Sequence, residues 1–476
     1  MDEKILKIGL LVGMSLSLPA FSASGKSEKE RPNIIYICVD QQHAGMMSCA
    51  GNKWLKTPAM DYIAQNGIRF TRAYTANPVC SPARVSLMTG RFAGAFLDKE
   101  GNQVRENAGS MVIPTISEEI RNTTISAFLL KANYELVYGG KRDLPTPLDP
   151  TTLGFTDLGG DGREKLAEEA AKYIGLKHPN PYFMMVSLIN PHDICYMAIR
   201  DFANTELEKR IIKNGAVPCN TLDKALQMPA GVSETDFFEK YCPTLPLNYE
   251  PQKDEPEAIK SLIERRNFRK DARDKYTDKQ WRLHRWAYCR LTELVDRQVQ
   301  TILDAVKNSG QEENTLIIFS SDHGDMDAAH RMEHKTALYE ESANVPFMAM
   351  WKGHFAAGQV DGNHLVSNGL DLLPTVCDYA GIEGVADPRG RSLRPLFEGK
   401  KIVWRKTLGV ETEIGRMMVD DEKFKYIKYD VAGTEEQLFD LNQTPLEMIP
   451  VTNDPKNKEK LAHMRKIFSS EWFPGY

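Results

Sequence analysis

Hydrophobic residues along the chain form short continuous runs that alternate with segments of helical periodicity. Three runs are apolar at almost every position, as expected of parallel strands buried on both faces, and they lie within 31–42, 181–193 and 315–325. A shorter run at 134–141 predicts a further strand. Helical patterns lie between these runs, at 56–67, 163–177 and 281–306. This alternation predicts an α/β fold with a mainly parallel central sheet flanked by helices.

The ends of two helices carry capping signals. Thr57 precedes Pro58, which predicts a cap followed by the first helical residue. Thr115 and Glu118 have the spacing of a capping box. These signals predict helices that begin close to residues 58 and 116.

The pattern changes in two parts of the chain. Between about 198 and 280 it lapses, with several prolines and a charge-rich, helix-like segment at 261–275. This predicts an irregular insertion, which is either a solvated surface excursion or a lid that contributes to substrate recognition. From about Trp404 onward, four short segments predict antiparallel strands, and 455–472 predicts a closing helix. We expect a catalytic domain at 32–400 and a smaller C-terminal α+β subdomain at 401–476, built on a short antiparallel sheet.

The N-terminus resembles an export signal. Lys4 and Lys7 precede an apolar run at 8–18, and small residues follow it. This pattern predicts a signal peptide at 1–23, too short for a permanent membrane span, and hence a secreted or periplasmic protein. An N-terminal amphipathic helix of the fold is the alternative interpretation. No later segment predicts a membrane span.

Charge and cysteine content exclude several classes of function. The chain has 476 residues, with 60 basic and 65 acidic side chains and a net charge of −5. This balance gives no basic surface of the kind that binds nucleic acid. The eight cysteines contain no CxxC pair, which argues against a zinc ribbon or a thioredoxin-like centre.

Polar residues end three of the predicted strands. Asp40 and Gln41 end the first, His192 follows the second, and Asp322 and His323 end the third. Ligands of such sheets lie beyond the carboxyl ends of the strands. An oxygen-rich set at two strand ends suits a hard cation such as calcium. Helix capping or ion pairing is the alternative role for these acids.

Two lysines and a histidine could act beside such a cation. Lys141 and Lys335 lie in short motifs near predicted element ends, where they could stabilise a tetrahedral oxyanion or simply be surface lysines. His192 could donate a proton to a leaving oxygen, or serve as a structural histidine.

The segment at 77–91 carries the most specific motif. Cys80-Ser81-Pro82-Ala83-Arg84, followed by Thr-Gly-Arg at 89–91, resembles the signature of the formylglycine-dependent sulfatases. The resemblance extends over nearly the whole chain after the predicted signal peptide. Further segments in the family's order lie at 32–42, 139–141, 190–192, 321–325, 334–335, 339–348 and 436–441.

This resemblance implies an alkaline-phosphatase-like fold and a specific chemistry. In the family the motif cysteine is converted by a formylglycine-generating (sulfatase-maturating) enzyme into formylglycine, which hydrates to a diol. The resemblance therefore implies that Cys80 is the nucleophile precursor and that Arg84 holds it. It also implies that Asp40, Gln41, Asp322 and His323 bind Ca²⁺ with the modified Cys80. Lys141, His192 and Lys335 would contact the sulfate, with His192 as the proton donor to the leaving alcohol.

The implied reaction is hydrolysis of a sulfate ester. One diol oxygen attacks sulfur and the alcohol leaves; a base then removes the proton of the second hydroxyl, and sulfate is expelled. The substrate implied by the resemblance and the export signal is a sulfated carbohydrate, either a glycosaminoglycan or a mucin-type glycan. A phosphomonoester or phosphonate-ester hydrolase of the same superfamily, or a non-catalytic glycan-binding relative, is the alternative.

The sequence departs from the family pattern in two places. The family places histidine two residues after the Lys141 equivalent, whereas this chain has Asp143. We expect Asp143 either to replace the missing base or to bind substrate, or else to pair with Arg142 or Lys141. The segment between His323 and Lys335 also lacks the family's common glycines, so that His330, Arg331 and His334 could reach the substrate.

Overall fold

The computed structural model describes residues 31–105, 111–159, 163, 165–384, 387–430 and 435–474. The predicted signal peptide lies outside these residues. The strands are β1 (Asn33–Asp40), β2 (Ile68–Phe70), β3 (Ala73–Tyr74), β4 (Glu135–Gly140), β5 (Thr156–Asp157), β6 (Tyr182–Pro191), β7 (Thr315–Ser321), β8 (Phe347–Met350), β9 (Gln359–Asp361), β10 (Val366–Ser367), β11 (Thr407–Thr412), β12 (Gly415–Asp420), β13 (Phe424–Tyr429) and β14 (Glu436–Asp440). The helices are α1 (Pro58–Gln65), α2 (Cys80–Thr89), α3 (Glu118–Asn122), α4 (Ile125–Lys131), α5 (Leu166–Ile174), α6 (Tyr196–Phe202), α7 (Glu206–Asn214), α8 (Ala216–Leu226), α9 (Glu234–Asp236), α10 (Glu257–Glu264), α11 (Asn267–Lys275), α12 (Asp278–Asn308), α13 (Glu340–Ala343), α14 (Asn368–Tyr379), α15 (Arg394–Phe397) and α16 (Lys458–Ile467).

The central sheet has eight strands in the order β5-β4-β6-β1-β7-β8-β2-β9. Strands β5, β4, β6, β1 and β7 run parallel, and β8 is antiparallel to β7 and to β2. Successive residues of β1 point to opposite faces: Ile34 and Tyr36 join a core with α2, α4 and α14, whereas Ile35 and Ile37 join a core with α1, α5 and α12. Both faces are therefore buried, which explains the continuous apolar runs and confirms the predicted fold class.

A second sheet follows near the C-terminus. Strands β11 to β14 pair in sequence order, each antiparallel to the next. Their apolar residues form a separate core with α16, and this core also contains Met326, Leu338 and Tyr339 from the segment after β7. The predicted antiparallel sheet is confirmed, and it packs against the loop that carries Lys335.

The start of one helix was predicted wrongly. Helix α3 begins at Glu118, and its cap is Ser117, whose hydroxyl accepts a hydrogen bond from the Ile120 amide at 3.2 Å. Thr115 therefore does not form the predicted capping box. Thr57 is at the cap position of α1 as predicted, but its hydroxyl is 2.8 Å from that of Ser48 and makes no capping bond.

The interval at 198–280 is more regular than its sequence predicted. It forms the end of α6, then α7 to α11 and the start of α12, with the prolines concentrated in the segments before and after α9. The segment at 261–275 is helical as predicted, in α10 and α11. The other helices were missed because each is short and because prolines interrupt the periodicity. Apolar residues of α6, α8 and α11 pack on α12. No helix among the described residues is long and apolar enough to cross a membrane.

Candidate active site and metal cluster

The carboxyl ends of β1 and β7 place acidic and imidazole groups side by side. Because the two strands are adjacent and parallel, Asp40 and Asp322 leave the sheet at the same edge. The structure brings Asp40, Cys80, Asp322 and His323 together, with one ligand atom of each within 4.8 Å of the others, and all four side chains are buried. The site is therefore a buried acidic cluster able to hold a metal ion.

Arg84 lies between the two carboxylates. It is one helical turn after Cys80 on α2, so both side chains project from the same face. Its Nη2 atom is 2.9 Å from Asp40 Oδ2 and 2.9 Å from Asp322 Oδ2. Arg84 also donates to the Lys141 carbonyl at 2.9 Å and to the Ser187 hydroxyl at 2.5 Å. These bonds use the whole fork of the guanidinium and hold the N-terminal half of α2 against the sheet edge.

The pKa values of the two carboxyl groups diverge. Burial alone would raise the pKa of Asp40, but the ammonium group of Lys141 and the guanidinium of Arg84 hold it well below its usual range. Burial and the neighbouring charge of Asp40 raise the pKa of Asp322. Two buried acids this close need a compensating cation, because like charges oppose each other's ionisation.

Cys80 begins α2 with its sulfur facing the cluster. The Sγ atom is 3.1 Å from His323 Nε2 and 3.8 Å from Asp40 Oδ1. Burial and Asp40 raise the pKa of Cys80 to about 11. The thiol therefore stays protonated at neutral pH, which is the opposite of an activated thiolate nucleophile.

Two buried ammonium groups converge on the same sulfur. Lys141, which directly follows β4, has Nζ 3.3 Å from Cys80 Sγ and 2.6 Å from Asp40 Oδ2. Lys335 has Nζ 2.8 Å from Cys80 Sγ and 2.9 Å from Gln41 Oε1. Burial opposes their charge, but the surrounding anionic groups raise the pKa of both lysines. The side-chain atom of residue 80, or a group held beside it, would thus face two fixed positive charges.

Gln41 joins the site through both its backbone and its side chain. Its amide N–H donates to Asp322 Oδ1 at 3.1 Å, and its Nε2 donates to Asp325 Oδ2 at 2.6 Å. The Cys195 thiol is 3.1 Å from Gln41 Oε1. Asp325 and Lys335 thus fix the amide with its oxygen toward Lys335.

Three residues of this site were missed from the sequence: Ser187, Cys195 and Asp325. Asp325 carried a usable signal, because it follows His323 by two residues in an acidic loop after a predicted strand. Ser187 is a small hydroxyl inside an apolar strand and Cys195 is one buried thiol among several, so neither could be recognised.

His192 directly follows β6. Its Nδ1 atom is buried and has no hydrogen-bond partner among the described residues. Burial and the ammonium group of Lys141 hold the pKa of His192 well below its usual range. The imidazole is therefore neutral in the protein alone, with one ring nitrogen left for a bound molecule.

The side chains of Asp143 and Arg142 have different charged neighbours. Asp143 has Oδ2 3.9 Å from Lys141 Nζ, on a backbone with φ of 46°. Arg142 instead forms ion pairs with Asp149 at 3.2 Å and with Asp157. Of its two expected partners, Asp143 therefore lies near Lys141, and Arg142 pairs with other acids rather than with the cluster.

The three side chains of the 330–334 segment differ in position. His330 is completely buried and stacks on Tyr339 with centroids 4.1 Å apart. It therefore does not reach a substrate, contrary to the prediction. Arg331 lies over the ring of Tyr249 and is 3.2 Å from Glu250. His334 is close to the site, because its amide donates to Asp325 at 3.1 Å and its Nδ1 contacts Glu333.

The ligand atoms suit a hard divalent cation. Two carboxylates and the His323 ring lie around Cys80, and the Gln41 amide oxygen accepts from Lys335, which also contacts Cys80. His323 Nδ1 is 2.9 Å from the Gly324 carbonyl, which leaves Nε2 directed at the cluster without a proton. The two carboxylates are ligands that hard cations prefer, whereas an imidazole and a thiol are also zinc ligands.

Comparison with known proteins identifies the family. The family model described as Sulfatase matches residues 32–382, and a second model, described as N-sulphoglucosamine sulphohydrolase, C-terminal, matches 328–471. A curated relative is the Delta 4,5-hexuronate-2-O-sulfatase of Bacteroides thetaiotaomicron. It is 27% identical over 470 residues, which cover 94% of this chain and 90% of the relative.

Solved structures share the fold. A 2-O GAG sulfatase, BT1596, superposes with a TM-score of 0.75 at 24% identity, covering 92% of this chain and 91% of that protein. A phosphonate monoester hydrolase of Agrobacterium radiobacter gives a TM-score of 0.64 at 20% identity, covering 92% and 95% of the respective chains. The fold alone therefore does not separate sulfate from phosphonate chemistry.

Proposed function

The chain belongs to the sulfatase family and is a sulfuric ester hydrolase, and we propose that it removes sulfate from a carbohydrate by means of formylglycine at position 80 and calcium. The observation that carries the proposal is the convergence of Lys141 and Lys335 on the sulfur of Cys80, beside the acidic cluster. A protonated, buried thiol with a pKa of about 11 gains nothing from two ammonium groups. A tetrahedral sulfate ester held there would gain from both.

The proposed roles of the chain's residues follow from their contacts. Asp40, Gln41, Asp322 and His323 would hold calcium, which supplies positive charge to the sulfuryl oxygens and to the nucleophile. Formylglycine supplies a hydrated aldehyde, with one hydroxyl for attack and a second for release of sulfate. Arg84 keeps the two acids and the start of α2 in register, and the lysines bind the non-bridging sulfate oxygens.

His192 is proposed to protonate the leaving alcohol. Its neutral state in the protein alone results from burial and from Lys141, with Lys335 adding to the effect. A bound sulfate ester would offset both ammonium charges and raise the pKa of His192, which favours transfer of a proton to the leaving oxygen. Asp143 is proposed as the base for sulfate release in place of the family's histidine.

The proposed substrate is a glycosaminoglycan or mucin-type glycan, and the proposed location is secreted or periplasmic. The glycan is supported by the relatives, since the curated Bacteroides enzyme and BT1596 are named for hexuronate and GAG 2-O-sulfates. The location is supported by the sequence at 1–23. A sulfatase-maturating enzyme would be the partner that converts Cys80.

The test is release of inorganic sulfate from defined sulfated mono- and disaccharides, with residue 80 verified by peptide mass. A phosphate or phosphonate ester of the same alcohol, assayed in parallel, separates the superfamily alternative. Glycan binding without sulfate release by converted protein would instead favour a non-catalytic relative.

A further inference from the structure

Arg269, near the start of α11, lacks an acidic partner. No carboxylate of the described residues lies within ion-pair distance of its guanidinium, and its Nη1 makes one long bond, 3.5 Å, to the Leu262 carbonyl. Its Nε atom is buried without a hydrogen-bond partner, although the residue is partly exposed. Burial lowers the pKa of Arg269 to about 10. Its neighbour Arg273 is paired at 2.6 Å with Glu255, so of the two arginines of α11 Arg269 is the one without an ion pair among the described residues.

Arg269 flanks the candidate active site. The preceding residue, Phe268, packs on the His334 ring with centroids 5.1 Å apart. His334 in turn precedes Lys335, whose ammonium group contacts Cys80 at 2.8 Å. After burial, Arg269 is the strongest influence lowering the pKa of His334. Glu413, which lies beyond ion-pair distance, and then the Cys195 thiol oppose the lowering of the Arg269 pKa. The guanidinium is thus close to two residues of the site while it contacts none of the proposed sulfate ligands.

We propose that Arg269 forms a second anion subsite, which binds a carboxylate or an additional sulfate on the sugar that carries the scissile ester or on its neighbour. This inference rests on the proposed function. A partly desolvated guanidinium without a partner is unfavourable, and a planar or tetrahedral oxyanion would satisfy it through paired N–H···O bonds. The subsite would make one helix of the 198–280 segment a specificity determinant, in line with the lid alternative for that segment.

The test compares three substrates, each of which carries a sulfate ester that the enzyme can hydrolyse. They are an unsaturated 2-O-sulfated hexuronate disaccharide, its uronamide, in which the carboxylate is a neutral amide, and a hexosamine that carries two sulfates. Arg269→Gln should lower kcat/KM for at least one doubly anionic substrate about tenfold or more beyond its effect on the uronamide. Arg269→Lys, which keeps the charge without the fork, should give an intermediate loss.

The pattern of loss identifies the anion. A selective loss on the uronate assigns a carboxylate, and a selective loss on the disulfated hexosamine assigns a second sulfate. An equal loss on all three substrates, or no loss on any, overturns the inference. The matched control is Lys270→Gln, since Lys270 is an exposed cation of the same helix, and it should leave the ratios unchanged.

Two readouts separate this inference from its premise. If converted wild-type protein releases sulfate from the uronamide, the proposed function stands whatever the Arg269 variants do. If it releases sulfate from no substrate, the proposed function itself fails. Unchanged thermal unfolding of Arg269→Gln shows that the variant is folded.

Discussion

Asp143 stands 3.9 Å from the ammonium group of Lys141, the lysine that also contacts Asp40 and Cys80. Its left-handed backbone, φ 46°, is one that aspartate and asparagine tolerate better than most residues. The carboxylate thus lies at the edge of the site, opposite a cation that offsets its repulsion of sulfate. This position is consistent with a base that acts after the alcohol has left.

Replacing Asp143 by asparagine keeps the side-chain shape and removes the base. We expect Asp143→Asn to lower kcat for sulfate release at saturating substrate about 10²-fold, the lower end of a general-base contribution. Asp157→Asn is the control, because Asp157 is an exposed acid of the same region that pairs with Arg142. An unchanged kcat in Asp143→Asn would show that Asp143 is not the base.

Calcium removal should destabilise the protein. If the acidic cluster binds calcium only in the folded state, calcium at 100 times its Kd adds about 2.7 kcal/mol to the free energy of unfolding. Asp322→Asn should abolish most of the fall in Tm that a chelator causes in wild-type protein, whereas the exposed Asp304→Asn should not. A wild-type Tm that is the same with calcium and with chelator would contradict the proposed metal site.

The role of His192 can be tested with two leaving groups. A sugar alkoxide needs a proton to leave, whereas p-nitrophenolate hardly does. We expect His192→Asn to lower kcat/KM for a sugar sulfate about 10²- to 10³-fold and for p-nitrophenyl sulfate far less. The exposed His463→Asn is the control. Equal losses on the two esters would assign His192 to sulfate binding rather than to proton donation.

The sequence alone was sufficient to predict most of the parallel sheet and most residues of the acidic cluster, for physical reasons. Strands β1, β6 and β7 are buried on both faces, so they appear as continuous apolar runs, and their carboxyl ends carry Asp40, His192 and Asp322. The C-terminal strands were also recognisable. Short strands such as β2, β5 and β9, each of two or three residues, carry too little pattern to be predicted.

The misses concern interactions that depend on the tertiary structure. His330 was expected near the substrate because of its place in the chain, but it turns into the second core and stacks on Tyr339. Arg142 pairs with Asp149 and Asp157 rather than with Asp143, its neighbour in sequence. The unpartnered state of Arg269 is likewise invisible in a charge-rich helix, where a solvated face is the ordinary interpretation.

His330 should make the protein acid-sensitive. Burial lowers its pKa from 6.5 to about 3 in the folded state, so protonation favours the unfolded chain. The stabilising contribution of the neutral ring is complete above pH 6.5 and is lost progressively as the pH falls from 6.5 towards 3. Between pH 7 and pH 5 this loss amounts to about 2 kcal/mol.

Phenylalanine at position 330 preserves the stacking on Tyr339 and cannot be protonated. The difference in free energy of unfolding between His330→Phe and wild type, from urea denaturation, should therefore shift by about 2 kcal/mol in favour of the variant from pH 7 to pH 5. His463→Gln should show no comparable shift. A pH-independent difference for His330→Phe would mean that the ring is already able to bind a proton in the folded protein.

The most direct measurement is inorganic sulfate released from a panel of defined sulfated mono- and disaccharides by protein whose residue-80 peptide has the mass of formylglycine. The account predicts sulfate release by the converted wild type, none by Cys80→Ala, and much slower hydrolysis of the matching phosphate ester. Undiminished sulfate release by Cys80→Ala, or faster release of phosphate than of sulfate, would contradict it.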